Sequence, residues 1–146
     1  MFEVKEIPPE MTYPIRHKVL RPHQDLNECV YDTDFMDGTF HAGVFHDEEL
    51  ICIASFNPEN HPSFSSGRQY HLRAMATLPS FRNMGVGRTL ISYAEERLKS
   101  HGTEIIWCNG RTEVKGYYEK SGFKSYGEVF DYPGLGPHIV MYKELK

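Results

Sequence analysis

The run Arg82-Asn83-Met84-Gly85-Val86-Gly87-Arg88 has the composition of a loop that holds a phosphate group. It lies between a strand-like segment and an amphipathic segment, so several backbone N–H groups at the start of a helix would point at one spot. The helix dipole would add partial positive charge there, and glycine would let a ligand approach the backbone closely. The alternative is a helix that begins at glycines for packing alone.

The two most familiar phosphate-binding motifs do not fit this run. The dinucleotide-binding fingerprint needs a third glycine at the position of Leu90. The Walker loop needs Gly-Lys-Ser/Thr, whereas Gly87 is followed by Arg88-Thr89. A nucleotide-binding fold is therefore an alternative that these residues support poorly.

The run resembles the cofactor loop of the GCN5-related N-acetyltransferases, Gln/Arg-x-x-Gly-x-Gly/Ala, and matches it at Arg82, Gly85 and Gly87. Residues 111–123 resemble the second signature of that family, a helix end with the pattern aromatic-Tyr-Glu-Lys-x-Gly-Phe. The resemblance is thus carried by two motifs in the order and at the spacing that the family has.

Two positions in the second motif depart from the family pattern. Val114 and Tyr117 stand where Ala and Phe or Leu are more usual, and both changes look tolerable. Residues 136–141 resemble the last strand of the ElaA/YjcF-like branch of the family. The resemblance covers most of residues 39–146 well and residues 1–38 loosely.

The resemblance implies a use for each part of the loop and of the strand before it. Acetyl-coenzyme A would place its pyrophosphate on the amides of residues 82–88 and its pantetheine along Met75, Ala76 and Thr77, and an amide near Ala76 or Thr77 would hold the developing oxyanion. The cofactor-binding residues predicted in this way are Met75, Ala76, Thr77, Arg82, Asn83, Met84, Gly85, Val86, Gly87, Arg88, Asn109 and Tyr118.

Tyr118 is the residue that the resemblance assigns as the catalytic acid. The family places a tyrosine here, directed at the coenzyme sulfur, where a phenol can donate a hydrogen bond or a proton to the departing thiolate. The alternative is core packing, because Val114 and Tyr118 are expected to share one helix face.

His71 is the candidate for the catalytic base. Some members of the family carry a glutamate eleven residues before the first residue of the cofactor loop, and His71 occupies that position here. An imidazole titrates near neutral pH and could accept the proton of the amine. The alternatives are a strand histidine that faces solvent, or ordered water as the proton acceptor. His138, Asn109 and Arg111 are further candidates for contact with the substrate.

The charge of the chain is distributed unevenly. The net charge of −4 disfavours nonspecific nucleic-acid binding. Residues 21–60 carry nine acidic side chains against the single base Arg21, whereas residues 79–101 carry a net charge of +2. In the family that this chain resembles, the early helix and loop wall the acceptor side. We therefore expect a small primary amine as acceptor, and one with positive charge.

Metal binding and calcium binding are not expected. Asp32, Asp34 and Asp37 fail the spacing of a calcium loop, and a solvated acidic loop is the expected structure. The eight histidines include no metal-ligand spacing, and the three cysteines include no CxxC pair. The absence of a signal peptide and of a long apolar run predicts a cytoplasmic protein without membrane contact. Homodimers are common in the family.

The elements that must position these residues predict one mixed α/β domain over residues 1–146, with a mostly antiparallel sheet that splays at the cofactor site and is flanked by helices. Helices are predicted over 13–20, 85–100 and 112–120, and the second would carry Val86, Leu90, Ala94 and Leu98 on one face. Strands are predicted over 2–7, 39–45, 50–56, 69–77, 104–108, 127–132 and 138–142.

The function expected from this reading is transfer of acetyl from acetyl-coenzyme A to a primary amine by direct attack, without an acyl-enzyme. An alternative from another class is a coenzyme A-binding sensor or scaffold with a decayed active site, against which the presence of Tyr118 argues. The nucleotide-binding alternative predicts affinity for NAD or ATP over coenzyme A.

Overall fold

A single seven-stranded sheet organises the chain in the computed structural model, which describes residues 1–65 and 67–145. The strand order is β1-β2-β3-β4-β5-β7-β6, and every pairing is antiparallel except the parallel pair β4–β5. The strands are β1 (Phe2–Ile7), β2 (Phe40–His46), β3 (Glu49–Pro58), β4 (Gln69–Thr77), β5 (Ile105–Arg111), β6 (Lys124–Tyr132) and β7 (Gly136–Glu144). The predicted mixed α/β class and the predicted strands are confirmed.

The helical segments differ in length and type. The α-helices are α1 (Tyr13–Ile15), which continues as a π-helical turn (Arg16–Leu20), α2 (Val86–Ser100) and α3 (Lys115–Lys120). Short 3₁₀ turns lie at Pro9–Thr12, Leu26–Cys29, Asp32–Phe35, Pro79–Phe81 and Thr112–Val114. No helix among the described residues is long and apolar enough to cross a membrane.

The start predicted for the third helix is wrong. Residues 112–114 form a 3₁₀ turn, and the α-helix begins only at Lys115. Val114 therefore lies outside α3 and is exposed, so it does not share a buried helix face with Tyr118. Glu95 of α2 accepts hydrogen bonds from Lys143 on β7 at 2.7 and 2.9 Å, which connects this helix to the sheet.

The main core lies between one face of the sheet and helices α2 and α3. The predicted apolar face of α2 is confirmed, because its four residues are all buried there: Val86, Leu90, Ala94 and Leu98. Leu72, Cys108 and Met141 bring the central strands β4, β5 and β7 into the same core. We call this side of the sheet the helix face.

The opposite side of the sheet is covered by the segment from Pro9 to Leu20, and we call it the N-terminal face. Ile7, Ile15, Ile53 and Ala76 form a smaller buried cluster there. Successive side chains along each strand point alternately to the helix face and to the N-terminal face. On β5, Trp107, Asn109 and Arg111 therefore lie on the N-terminal face.

β4 and β5 separate after a short stretch of pairing. Their register covers three residue pairs, which are Gln69–Ile105, Tyr70–Ile106 and His71–Trp107. Beyond them β4 carries a β-bulge, because Ser55 opposes Arg73 and Ile53 opposes Ala76 on the neighbouring strand. Ala74 adopts φ of 54° within the bulge, a conformation that is rare for a residue with a side chain.

The acidic segment is more structured than the sequence indicates. Asp34 is buried, and its carboxylate accepts two hydrogen bonds of 2.9 Å from the fully buried Arg16. The prediction of a wholly solvated loop is therefore wrong at Asp34, because the ion pair with Arg16 offsets the free-energy cost of burying this carboxylate. Asp32 and Asp37 are exposed as expected.

Cys29, Cys52 and Cys108 are free and buried, and burial raises the pKa of the Cys52 and Cys108 thiols to about 11 and about 12. In the part of the chain that the structure describes, no three His, Cys, Asp or Glu side chains come together as a metal site would require.

Candidate active site

A cleft of about 1110 Å³ opens where β4 and β5 separate. It is bounded by the start of α2 on the helix face and by Leu20, Arg21 and Tyr31 on the N-terminal face. The predicted site residues that line it are His71, Met75, Ala76, Thr77, Arg82, Asn83, Gly85, Val86, Gly87, Arg88, Asn109, Arg111, Tyr118 and His138. Met84 is not among the lining residues, because its side chain points outward with 56% of its surface exposed.

The two glycines of the loop serve different physical needs. Gly85 caps the N-terminus of α2 in the left-handed conformation, with φ of 74° and ψ of 13°, and a Cβ there would meet no atom within 4 Å. Gly87 has ordinary helical geometry, but a Cβ there would overlap the hydroxyl oxygen of Tyr117. Gly85 thus shapes the loop beside open space, whereas Gly87 makes room for the Tyr117 phenol.

Positive charge is concentrated at this end of the cleft. The first backbone N–H groups of α2 have no partners within the helix. The helix dipole adds partial positive charge at the same end. Arg82 and Arg88 line the cleft beside it, and Arg82 donates from Nε to the Thr77 carbonyl at 3.3 Å. The loop therefore has the electrostatics that a pyrophosphate group requires.

The bulge in β4 sets which side chains face which side of the opening. Met75 faces the start of α2, since its Cε would lie 3.0 Å from a Cβ on Gly87, and Thr77 contacts Cys52 of the main core. Arg73 and Ala76 face the N-terminal side, where Ala76 joins the smaller cluster. Because β5 has left β4 here, one edge of β4 lies open to the cleft.

Tyr118 is buried, with 7% of its surface exposed, and lines the cleft together with Cys108. Burial, followed by the neighbouring Cys108 with which it shares a hydrogen bond, raises the pKa of Tyr118 well above its ordinary value. Its ring packs against Gly110, where a Cβ would lie 3.3 Å from Cε2. Tyr118 therefore carries a firmly protonated phenol, and the packing and cleft-lining roles coexist in one side chain.

His71 is a buried residue of the cleft wall, so the expectation of a solvent-facing strand histidine does not hold. Its Nδ1 lies 3.2 Å from Oε1 of Glu59, and its ring stacks on Trp107. Burial lowers the pKa of His71 to about 4 despite the opposing effect of Glu59, which keeps the imidazole neutral near pH 7. The contact with Glu59 is thus a hydrogen bond to a carboxylate rather than an ion pair.

Glu59 is a residue that sequence reasoning missed. Its carboxylate also accepts from Asn57 Nδ2 at 3.2 Å, and these hydrogen bonds from His71 and Asn57 outweigh the effect of burial and lower the pKa of Glu59. With Nδ1 donating to Glu59, the neutral ring presents Nε2 as an acceptor. The Asn-x-Glu spacing at the end of β3 was a weak signal, because its meaning depends on the antiparallel pairing of Asn57 with His71.

The expected acidic wall of the acceptor side is not found. None of the nine acidic residues of segment 21–60 lines the cleft, and Glu113 is the one carboxylate among its described lining residues. Six basic side chains line it instead: Arg21, Arg73, Arg82, Arg88, Arg111 and Lys120. The sequence count failed because the acidic residues lie on outer surfaces or, in the case of Asp34, pair with Arg16.

Comparison with known proteins finds N-acetyltransferases among the relatives and among the similar structures. YitI of Bacillus subtilis (strain 168), described as an uncharacterized N-acetyltransferase, is 52% identical over 146 residues, which is all of this chain and 98% of that protein. The crystal structure of Escherichia coli ElaA has a TM-score of 0.76 at 19% identity, with 99% of this chain and 100% of that chain covered. An aminoglycoside 6'-N-acetyltransferase complexed with coenzyme A has a TM-score of 0.72 at 17% identity, covering 99% and 97% of the two chains.

The family model of the acetyltransferase (GNAT) family matches residues 5–123, which include both the glycine loop and α3. Together with the YitI relationship, this match identifies the chain as an N-acyltransferase. The chain belongs to the acetyltransferase (GNAT) family.

Proposed function

We propose that this enzyme transfers acetyl from acetyl-coenzyme A to a primary amine of a small molecule by direct attack. The observation that carries the proposal is the single cleft that brings together the glycine loop, the open edge of β4 and Tyr118. Loop and strand would hold the acyl donor, and the N-terminal face would hold the acceptor. The chemistry then needs a polarised thioester, a deprotonated amine and a protonated leaving group.

The glycine loop and β4 account for binding of the donor. The free N–H groups at the start of α2, with Arg82 and Arg88 beside them, match the charge of a pyrophosphate. The open edge of β4 offers backbone groups to the pantetheine amides, and an N–H at Ala76 or Thr77 is suited to hold the thioester oxygen as it gains charge. These roles extend the donor-binding function that is expected from the loop motif.

Tyr118 and His71 account for the proton movements. As the amine nitrogen forms its bond to the acetyl carbon and the carbon–sulfur bond breaks, the phenol of Tyr118 donates to the departing sulfur, and solvent restores its proton. The amine gives up a proton to Nε2 of His71, directly or through water. A low pKa makes His71 a weak base, but it keeps the ring neutral and ready to accept at neutral pH.

The test is the variant Tyr118→Phe, which removes the hydroxyl and keeps the ring. We expect kcat for thiol release to fall about 100-fold, the lower range for loss of a general acid, while calorimetric binding of coenzyme A is unchanged. Tyr126→Phe, at an exposed tyrosine of β6, is the matched control and should retain full activity. Full turnover in Tyr118→Phe would remove the phenol from the mechanism. Binding of coenzyme A without turnover across a broad amine panel would favour a sensor instead.

A further inference from the structure

Three arginines surround the N-terminal side of the cleft without a carboxylate partner. Arg21, Arg73 and Arg111 all line the cleft and are half-buried. No carboxylate of the described residues lies within 4.0 Å of any of them. Guanidinium groups remain charged at every physiological pH. Arg73 acts at longer range on the Glu59 carboxylate, whose pKa it helps to lower, and the three arginines give this side of the cleft an excess of positive charge.

The three side chains are held close together by a common set of contacts. Arg21 donates from Nε to the Tyr31 hydroxyl at 3.1 Å, and the guanidinium carbons of Arg21 and Arg73 lie 5.4 and 5.0 Å from the centre of the Tyr31 ring. Arg111 donates from Nη2 to the carbonyl of Leu20 at 3.2 Å, next to Arg21 in the chain. Tyr31 and Leu20 thus gather arginines from three separate segments at one place.

Arg16, a neighbouring arginine, differs from these three because it has a carboxylate partner. Arg16 also lies over the Tyr31 ring, at 4.2 Å, but Asp34 binds its guanidinium through two hydrogen bonds. Asp34 is thereby paired with Arg16, and neither Arg21 nor Arg73 has a carboxylate within 4.0 Å among the described residues. Glu113, the one acidic lining residue, follows Arg111 along the chain, and Glu59 is engaged by His71 and Asn57.

The position of the cluster assigns it to the acceptor rather than to the donor. Arg73 and Arg111 lie on the N-terminal face, whereas the glycine loop with Arg82 and Arg88 lies at the start of α2 on the helix face. Arg73 follows His71 by two residues on β4, which places their Cα atoms about 7 Å apart on the same face. An amine at His71 and an anionic group at Arg73 would then belong to one small molecule.

We propose that the acceptor is a small primary amine that bears a carboxylate, as an amino acid does, and that Arg21, Arg73 and Arg111 bind that carboxylate. The planar guanidinium group matches a carboxylate with two parallel hydrogen bonds. This inference rests on the proposed function and replaces the cationic acceptor expected from the sequence. It also names Arg73 as the residue that sets the distance from carboxylate to amine.

The first experiment compares matched acceptors with the full chain and acetyl-coenzyme A. Each L-amino acid is paired with its own amide, which keeps the amine and removes the negative charge. We expect kcat/KM to favour the acid of the preferred pair at least tenfold, since a charge-assisted contact is lost in the amide. Preference for amides or for polyamines would overturn the inference while leaving acetyl transfer intact.

The second experiment changes the arginines one at a time to glutamine. Arg73→Gln and Arg21→Gln should raise KM for the amino acid about tenfold or more and abolish the preference over the amide, with coenzyme A affinity unchanged. Arg68→Gln is the matched control, because Arg68 is exposed and lies outside the cleft. A retained preference in Arg73→Gln would contradict the assignment.

A binding measurement decides the case in which no amine is turned over. Calorimetry with coenzyme A present and glutarate as the probe should give saturable binding to the wild-type chain and at least tenfold weaker binding to Arg73→Gln. Absence of glutarate binding, or equal binding to both, would overturn the carboxylate site. Failure of the proposed function would instead appear as absent coenzyme A binding or absent thiol release.

Discussion

The imidazole of His71 stacks on the indole of Trp107, with ring centroids 3.9 Å apart and planes 8° from parallel. Trp107 donates from Nε1 to the carbonyl of Glu59 at 2.8 Å, and the Glu59 carboxylate lies 3.2 Å from Nδ1 of His71. The three residues therefore form a closed set of contacts between β4, β5 and the end of β3. This arrangement fixes the plane of the His71 ring and the tautomer it adopts.

The first prediction concerns Glu59 as a positioning residue. The variant Glu59→Gln removes a carboxylate whose hydrogen bond and charge raise the pKa of His71 against the larger effect of burial. The pKa of His71 should therefore fall below its wild-type value of about 4, as followed by NMR titration of the ring. Loss of ring orientation should also lower kcat about tenfold, a smaller loss than removal of a general base would cause.

Glu49→Gln provides the control for this variant, because Glu49 is an exposed carboxylate at the start of β3, the strand that leads to Glu59. It should leave both the His71 titration and kcat unchanged. An unchanged or higher pKa of His71 in Glu59→Gln would show that the carboxylate does not act on the imidazole.

The second prediction concerns stability in mild acid. The pKa of His71 is lowered from 6.5 to about 4 in the folded chain, so the unfolded chain binds more protons between these values and stability falls as pH falls through that window. Burial lowers the pKa of His41 as well, which adds loss of the same sign. Between pH 7.5 and pH 5, His71 should account for about 2 kcal/mol of unfolding free energy, at about 1.4 kcal/mol per pKa unit.

Urea unfolding at the two pH values measures this effect. His71→Gln should make the stability less dependent on pH, although His41 still contributes to it. A variant with the wild-type slope would mean that His71 is protonated equally in the folded and unfolded chain.

The third prediction separates the two glycines of the loop. Gly87→Ala places a methyl group against the Tyr117 hydroxyl and should cost about 1 kcal/mol of stability through overpacking. Tyr117→Ala in the same chain should remove most of that cost. Gly85→Ala should cost about 1–2 kcal/mol because of its left-handed backbone, and Tyr117→Ala should not relieve it.

A double-mutant cycle by urea unfolding reads these couplings directly. The pair Gly87 and Tyr117 should be coupled, and the pair Gly85 and Tyr117 should be additive. Additive behaviour of the first pair would contradict the close contact that the structure gives.

The fourth prediction concerns the buried ion pair. Asp34→Ala leaves the guanidinium of Arg16 buried with its charge uncompensated, which typically costs about 3–5 kcal/mol of unfolding free energy. Asp37→Ala, at an exposed position of the same segment, should change stability by less than about 0.5 kcal/mol. Similar midpoints of urea unfolding for the two variants would contradict a structural role of Asp34. If Asp34→Ala does not fold, Asp34→Asn keeps the side-chain volume and should be intermediate.

Local patterns were enough to predict the strands, the apolar face of α2 and the loop glycines, because each of these depends on residues close together in the chain. The strand predicted over 69–77 has the same bounds in the structure, because turn-forming residues precede and follow it. The turn between β2 and β3 is equally local, with Asp47 and Glu48 at φ of 48° and 72°. Such turns are specified by two to four residues.

The charge of the site and the partner of its histidine could not be predicted in this way. Asp34 meets Arg16 across 18 positions of the chain, and Glu59 meets His71 across 12. Counting charges along a segment gives no information on which of them face a cleft. The acidic acceptor wall was predicted from such a count, and the folded chain instead presents Arg21, Arg73 and Arg111.

The short pairing of β4 with β5 divides the sheet into two leaves joined along a seam of three residue pairs. One leaf, β1–β4, carries Arg73 and the amides proposed to hold the thioester oxygen, and the other, β5–β7, carries Asn109 and Arg111. Residues of both leaves would thus contact the donor and the acceptor. With donor and acceptor bound as proposed, the three residue pairs of the seam would set the distance between the two bound molecules.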